Sequence, residues 1–186
     1  MKILIADDES IIRMGLKAML TELGHHVIAA ANGREALQMA RSHRPDMAIL
    51  DIKMPYTDGL QAAKTLSRTQ PMPILLLTAF SEHDLIEKAS DLPIQGYLIK
   101  PIKPEELTAV IAVAHKRFAE IQQLAQKNSR LEKSLAQRKL IDRAKGVLMK
   151  SGLNEEEAYR KLQKMARDTG EKVGETAVAI LKSSKK

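Results

Sequence analysis

The chain has no cysteine, no tryptophan and only five aromatic residues in 186. Without cysteine there can be no disulfide and no thiolate metal site, a usage that fits a reducing, cytoplasmic setting. With so few aromatics, the core must be aliphatic, drawn from the 44% of residues that are apolar. Long apolar runs are missing as well. The first, Ile3 to Ala6, is stopped by Asp7, Asp8 and Glu9, so neither a signal peptide nor a membrane span is expected. The five histidines stand in no arrangement that suggests catalysis and read as structural or solvated.

What is present is unevenly distributed. The net charge is +7, yet residues 1–118 balance 14 Lys+Arg against 14 Asp+Glu, while residues 119–186 carry 16 against 9. The length suits one domain of ordinary size plus a small second one. A neutral regulatory part carrying a basic effector is the division these numbers suggest.

Three strand ends organise the first part. The apolar run Met47 to Leu50 ends at Asp51, and Pro55 cannot continue a ladder. Ile3 to Ala6 ends at Asp7 and Asp8, and Tyr97 to Ile99 ends at Lys100-Pro101, an X–Pro bond of the kind that admits cis. Strand cores at 3–6, 27–30, 47–50, 74–77 and 97–99 alternate with amphipathic stretches near 10–23, 34–43, 58–69 and 83–90. Such alternation implies an α/β fold, a parallel sheet with helices on both faces and its ligand crevice at the carboxyl ends of the strands. Asp7, Asp8 and Asp51 crowded there would repel by about 4 kcal/mol per pair at ~4 Å and an effective dielectric of 20. A divalent cation relieves that repulsion, and an all-oxygen ligand set suits magnesium.

The pieces ADDES at 6–10, LDIKMP at 50–55, DG at 58–59, LLLTAF at 75–80 and YLIKP at 97–101 resemble the receiver domain of bacterial two-component response regulators. The resemblance covers residues 1–118 and implies a flavodoxin-like (βα)5 fold with strand order 2-1-3-4-5. It implies Asp51 as phosphoacceptor, with Mg²⁺ held by Asp8, Asp51 and the backbone carbonyl of Lys53, and by Asp7 through water. A sensor histidine kinase would be the phosphodonor. A carboxylate attacking a phosphoryl group forms an acyl phosphate, whose developing charge Mg²⁺ and the Lys100 ammonium would neutralise. The Thr78 hydroxyl could hydrogen-bond the phosphoryl group, with room left by Ala79. Thr78 and Tyr97 would then act as a two-state switch.

From Pro104 the pattern becomes uninterrupted helix, with no Gly or Pro from 105 to 145. Leu107, Ile111, Ala114, Phe118 and Ile121 keep a 4-3-4-3 spacing, and Leu124, Asn128, Leu131 and Leu135 keep another after a one-residue slip. That reads as a coiled coil carrying a stammer, with Asn128 at a core position where one amide can specify two strands. Residues 119–137 are therefore expected to be a coiled-coil linker that makes a homodimer on phosphorylation.

Residues 138–182 read as a small three-helix bundle. Leu140, Ile141, Ala144, Val147 and Leu148 make one apolar arc, flanked by Arg138 and Lys145 on one side and Lys139, Arg143 and Lys150 on the other. Gly146 falls opposite the arc, where a mid-helix glycine suggests close approach by another backbone or a nucleic acid. Asn154 with Glu157 has capping-box spacing. The next core face is expected at Ala158, Tyr159, Leu162, Met165 and Ala166, with Arg160, Lys164 and Arg167 on the opposite face. A last helix presents Val173, Ala177, Ile180 and Leu181.

The segment 138–166 resembles the ANTAR domain, an RNA-binding module of transcription antitermination regulators, with departures at Gly174 and at Thr176, where an aliphatic residue is usual. The resemblance implies recognition of RNA hairpins in nascent transcripts, for which Arg138, Lys139, Arg143, Lys145, Gly146, Lys150, Arg160, Lys164 and Arg167 are the candidate contacts. A DNA-binding regulator would need a groove-reading helix-turn-helix, and a helix continuous with a coil argues against it. A protein-interaction adaptor is the alternative that the tail's excess charge disfavours. No independent enzyme is expected, only phosphorylation of the receiver's own Asp and its hydrolysis.

Overall fold

A computed structural model describes residues 1–79 and 92–183. The amphipathic stretch at 83–90 and Phe80 of the LLLTAF motif lie outside the described residues. Contacts divide the chain into two units, Met1–Gln122 and Gln123–Lys186.

The first unit holds a five-stranded parallel sheet of β1 (Lys2–Ala6), β2 (His26–Ala30), β3 (Met47–Asp51), β4 (Ile74–Thr78) and β5 (Gly96–Ile99), in the order β2-β1-β3-β4-β5. Helices α1 (Ser10–Glu22), α2 (Gly33–His43) and α3 (Gly59–Thr69) connect the first four strands. Side chains alternate across the sheet with period two. Ile3, Ile5, Met47, Ile49, Leu75 and Leu77 therefore face α1, meeting Leu16 and Leu20. Leu4, Ala6, Ala48, Leu50, Ile74 and Leu76 face α2 and α3, meeting Ala36, Ala40, Ala62, Ala63 and Leu66. That second face is lined by alanines, which lets the helices approach closely. Gly59 shows how closely, since a Cβ there would run into the Asp51 carbonyl. Asn32 and Asp58 fix the starts of α2 and α3 by accepting hydrogen bonds from the amides of Glu35 and Gln61, at 2.9 and 2.7 Å.

Helix α4 runs from Pro104 to Met149. The 4-3 spacing at its start has a different meaning from the one expected. Leu107, Ile111 and Ala114 are buried against β5 and α1 residues in the receiver core, so they belong to no seam between chains. An amphipathic helix packed on a sheet and a coiled-coil heptad share that spacing over about two turns, and sequence alone cannot separate them. Farther along, Ile121, Leu124, Leu131 and Leu135 are each more than half exposed.

In the second unit the last part of α4 meets α5 (Glu155–Thr169) and α6 (Val173–Ser183) around Ala144, Leu162, Ala177 and Ile180. The Asn154–Glu157 capping box is present, with both hydrogen bonds at 2.9 Å. Gly170 closes α5 in the left-handed conformation, φ 70°. Two core expectations fail. Tyr159 and Met165 are exposed, because the core of this bundle takes only the narrow strip Ala158, Leu162 and Ala166. Both unusual positions in α6 have local causes. Gly174 is buried where the Gln137 side chain lies, and Thr176 is buried with its hydroxyl donating to the Lys172 carbonyl at 3.4 Å.

Candidate functional site

The ends of β1 and β3 bring three carboxylates together. Ligand-capable oxygens of Asp7, Asp8 and Asp51 lie within 4.8 Å of one another. Asp7 is fully buried, Asp51 is 5% exposed, and Asp8 faces solvent. Lys100, just beyond β5, answers them, its Nζ standing 2.8 Å from Asp51 Oδ1, 2.8 Å from Asp7 Oδ2 and 3.6 Å from Glu9 Oε1. The Lys100–Pro101 bond is cis. Among the described residues, three acids against one lysine leave the cluster under-neutralised. Burial, only partly offset by Lys100, pushes the Asp51 carboxyl up to about 6. Burial also works against the charge of Lys100, but its contacts to Asp51 and Asp7 win and raise its pKa.

Backbone geometry holds this arrangement in place. The Glu9 amide donates to Asp7 Oδ1 at 2.8 Å, and Asp7 Oδ2 receives its ion pair without an aligned hydrogen-bond donor among the described residues. Arg13 on α1 ties down the loop by donating to the carbonyls of Asp7 and Asp8, at 2.6 and 3.0 Å. No sequence signal singles Arg13 out, because its role depends on how the loop turns. A cavity of about 520 Å³ opens beside the acids, lined by Asp8, Ile52, Lys53, Met54, Pro55 and Asp58. A buried carboxylate oxygen with no aligned donor, in an all-oxygen cluster of excess negative charge, suits a hard divalent cation.

Thr78 ends β4 and is buried, its hydroxyl donating to the Ala79 carbonyl at 3.1 Å. Tyr97 on β5 pairs with Leu76 in register, and its side chain is 48% exposed.

Comparison with known proteins decides the family. The family model of the response regulator receiver domain matches residues 3–112, and that of the ANTAR domain matches residues 129–181. The chain belongs to the response regulators. Along its whole length this regulator is similar to the transcriptional regulatory protein PdtaR of Mycobacterium tuberculosis, 40% identical over 184 residues, covering 98% of this chain and 90% of that protein. Its receiver is similar to that of AraT from Geobacillus stearothermophilus, at 35% identity and a TM-score of 0.59, covering 65% of this chain and 97% of that one. A receiver from Clostridium thermocellum aligns at 29% identity and a TM-score of 0.60, over 64% of this chain and 98% of that one. The flavodoxin-like receiver, the long helix and the helices that follow it are thus those of a two-component regulator with an ANTAR output. Among the described residues, no helix is long and apolar enough to cross a membrane.

The ANTAR part spreads its cations unequally. Arg138, Lys139, Arg143, Lys150, Lys164 and Arg167 are exposed. Arg160 is exposed too, but pairs with Glu156 at 2.5 Å. The Lys145 side chain is only 16% exposed, its Nζ 3.0 Å from Asp142 Oδ1 and 2.8 Å from Glu155 Oε1. Hydrogen bonds to Glu155 and Asp142 raise its pKa. Its ammonium also stands 6.0 Å from the centre of the Tyr159 ring. Gly146 is exposed, and nothing described lies within 4 Å of where its Cβ would be. Among the described residues, no contact requires a glycine there.

Proposed function

We propose that this regulator is phosphorylated on Asp51 and, in that state, binds RNA hairpins in nascent transcripts to control antitermination. The observation that carries the reading is the Asp51–Lys100 pair beside the under-neutralised Asp7 and Asp8. In it, an Asp51 carboxylate oxygen attacks the phosphorus of the donor, a new O–P bond forms, and the donor leaves with the electrons of the broken bond. Lys100 exchanges its carboxylate partner for a phosphoryl oxygen as Asp51 loses its charge. Magnesium held by Asp7, Asp8, Asp51 and the Lys53 carbonyl would supply further neutralisation of phosphoryl charge. The donor is a sensor histidine kinase, and Ile11 and Met14, both largely exposed on α1 next to the acids, offer it an apolar landing face.

Phosphorylation is read through Thr78 and Tyr97. The hydroxyl of Thr78 turns from Ala79 toward the phosphoryl group, and the exposed Tyr97 ring moves inward. The output is a dimer along Ile121, Leu124, Asn128, Leu131 and Leu135, which gives two RNA-binding modules one effective concentration. Cations such as Lys139, Arg143 and Lys150 supply phosphate affinity.

A gel-shift titration of structured RNA against equal-length duplex DNA, with and without beryllofluoride, tests this reading. Binding of RNA that tightens with beryllofluoride is expected. Preference for duplex DNA would move the output to a DNA-binding regulator, and binding to neither would leave the adaptor.

A further inference from the structure

Tyr159 is the sole aromatic residue in the sequence from 122 to 186. Its periodicity places it with the core, yet its side chain is 40% exposed. An exposed tyrosine could be an accident of a small bundle, but this one is held. Lys145 of α4 stands over the ring at 6.0 Å, and is itself fixed by Asp142 of the same helix and by Glu155, the first residue of α5. The ring, its supporting cation and two carboxylates thus tie two helices to one geometry. The site forms one side of a groove of about 330 Å³ that Ser134, Gln137 and Arg138 also line.

Charge tells what such a groove can take. Two carboxylates against Lys145 cancel its attraction for phosphate, so the floor is not a phosphate cradle. What remains around the ring is a set of hydrogen-bonding groups of both kinds: a hydroxyl, an amide, a guanidinium and a carboxylate. An aromatic face with donors and acceptors at its edge is how proteins hold an unpaired RNA base. The groove's volume lies at the low end for small-ligand pockets, about 300 Å³ and upward, which suits a single base.

We propose that Tyr159 is the stacking platform for one unpaired base of the RNA loop, and that Lys145 is its support and touches no phosphate. This rests on the RNA-binding reading given above and adds the place where sequence is read. Phosphate affinity then comes from the exposed cations Arg143, Lys139 and Lys150, and loop identity comes from the Tyr159 groove.

The test uses the full chain treated with beryllofluoride and stem-loop RNAs that share one stem. One set carries a randomised loop from which tight binders are selected, and the control stem is closed by a polyethylene glycol linker that has no bases. Fluorescence anisotropy gives affinities for wild type, Tyr159→Phe and Tyr159→Leu, with circular dichroism checking that each folds. Wild type should prefer the base-bearing loop. Tyr159→Phe should keep that preference, and Tyr159→Leu should lose about tenfold or more of it, the scale of one stacked base. Affinity for the linker-closed stem and the slope of log affinity against log salt should stay unchanged in both variants. Equal binding of the selected loop by wild type and Tyr159→Leu would overturn the platform, as would equal weakening on both RNAs, which marks a structural role. Wild type that binds base-bearing and linker-closed stems equally would overturn base reading while leaving RNA binding intact. Wild type that binds neither would overturn the RNA reading itself.

Discussion

The Lys100 ammonium stands 2.8 Å from Asp51 Oδ1 and 2.8 Å from Asp7 Oδ2, so a single cation serves two buried carboxylates. The acids come from neighbouring strands, β3 and β1, and the lysine arrives from beyond β5 at the sheet's edge. The proposed phosphorylation of Asp51 would change the number of charges that this one ammonium must answer. Much of the proposed switch follows from that shortage.

If Asp51 is the phosphoacceptor, Asp51→Asn should take up no phosphoryl group from acetyl phosphate or phosphoramidate. Phosphate-affinity electrophoresis reads the retardation directly, and circular dichroism should show the sheet unchanged. A retarded band of wild-type intensity in the variant would move the acceptor elsewhere.

The same residue should shape the pH dependence of the metal-free receiver. Folded Asp51 holds its proton up to about pH 6, against 3.8 for an ordinary aspartate. Between those values the folded chain binds more protons than the unfolded one, so stability falls as pH rises through the window. The loss is on the order of 3 kcal/mol at most, since each tenfold change in proton affinity is worth ~1.4 kcal/mol and solvent reaching the site screens part of it. Urea titrations in EDTA should show it in wild type, and Asp51→Asn should flatten the curve there. Added Mg²⁺ at neutral pH should restore stability to wild type and do little for the variant.

The strands and the acid–lysine edge were legible in the sequence because each rests on a local signal: an apolar run, then a charged stop. Asn154 and Glu157 were legible for the same reason, since a capping box is a fixed local spacing. The strand order came only through the family resemblance, and the register came from the structure. Leu107, Ile111 and Ala114 misled because about two turns of helix satisfy a sheet and a partner helix equally. Tyr159 misled because periodicity gives a face but not its width, and three short helices bury only a narrow strip. The pairing of Lys145 with Glu155 had no signal, since it joins residues ten apart across a turn.

The exposed stripe on α4 should close on a second copy. Sedimentation velocity should show a larger species with beryllofluoride than without. With Leu124 and Leu131 at one core position and Asn128 and Leu135 at the other, Lys127 and Glu132 flank the seam where a parallel pair would join them across chains. Glu132→Lys should therefore weaken the dimer, and adding Lys127→Glu should restore it. Unchanged sedimentation in both variants would argue against a parallel coil.

Two glycines should respond oppositely to alanine. At Gly33 a Cβ would meet the Thr57 carbonyl, a backbone group that cannot easily yield. Gly33→Ala should cost about 1–3 kcal/mol, the usual scale of overpacking. Gly15 on α1 has nothing described within 4 Å, so Gly15→Ala should gain up to about 1 kcal/mol of helix propensity. Thermal or urea denaturation separates the two.

Gly146 provides a sharper contrast between stability and binding. Its surroundings are open, so Gly146→Ala should stabilise the helix by about 1 kcal/mol. If RNA approaches there, Gly146→Leu should keep that more stable helix and still bind structured RNA more weakly. Arg143→Ala should lower the slope of log affinity against log salt by roughly 0.7–0.9 for each phosphate that the arginine neutralises. Wild-type RNA affinity in both Gly146→Leu and Arg143→Ala would argue against this face.

The three tyrosines are all exposed, and each stands on a different working surface. Tyr56 follows Pro55 in the loop after β3, Tyr97 lies on β5, and Tyr159 lies in the ANTAR bundle. No tryptophan outshines them. The intrinsic ultraviolet emission of this protein therefore reports its surface rather than its core. Replacing two tyrosines at a time with phenylalanine leaves one reporter each for the loop after β3, for β5 and for the proposed RNA groove. Stopped-flow traces of the three single-tyrosine proteins could then time the signal as it passes from acid edge to RNA, with no dye attached.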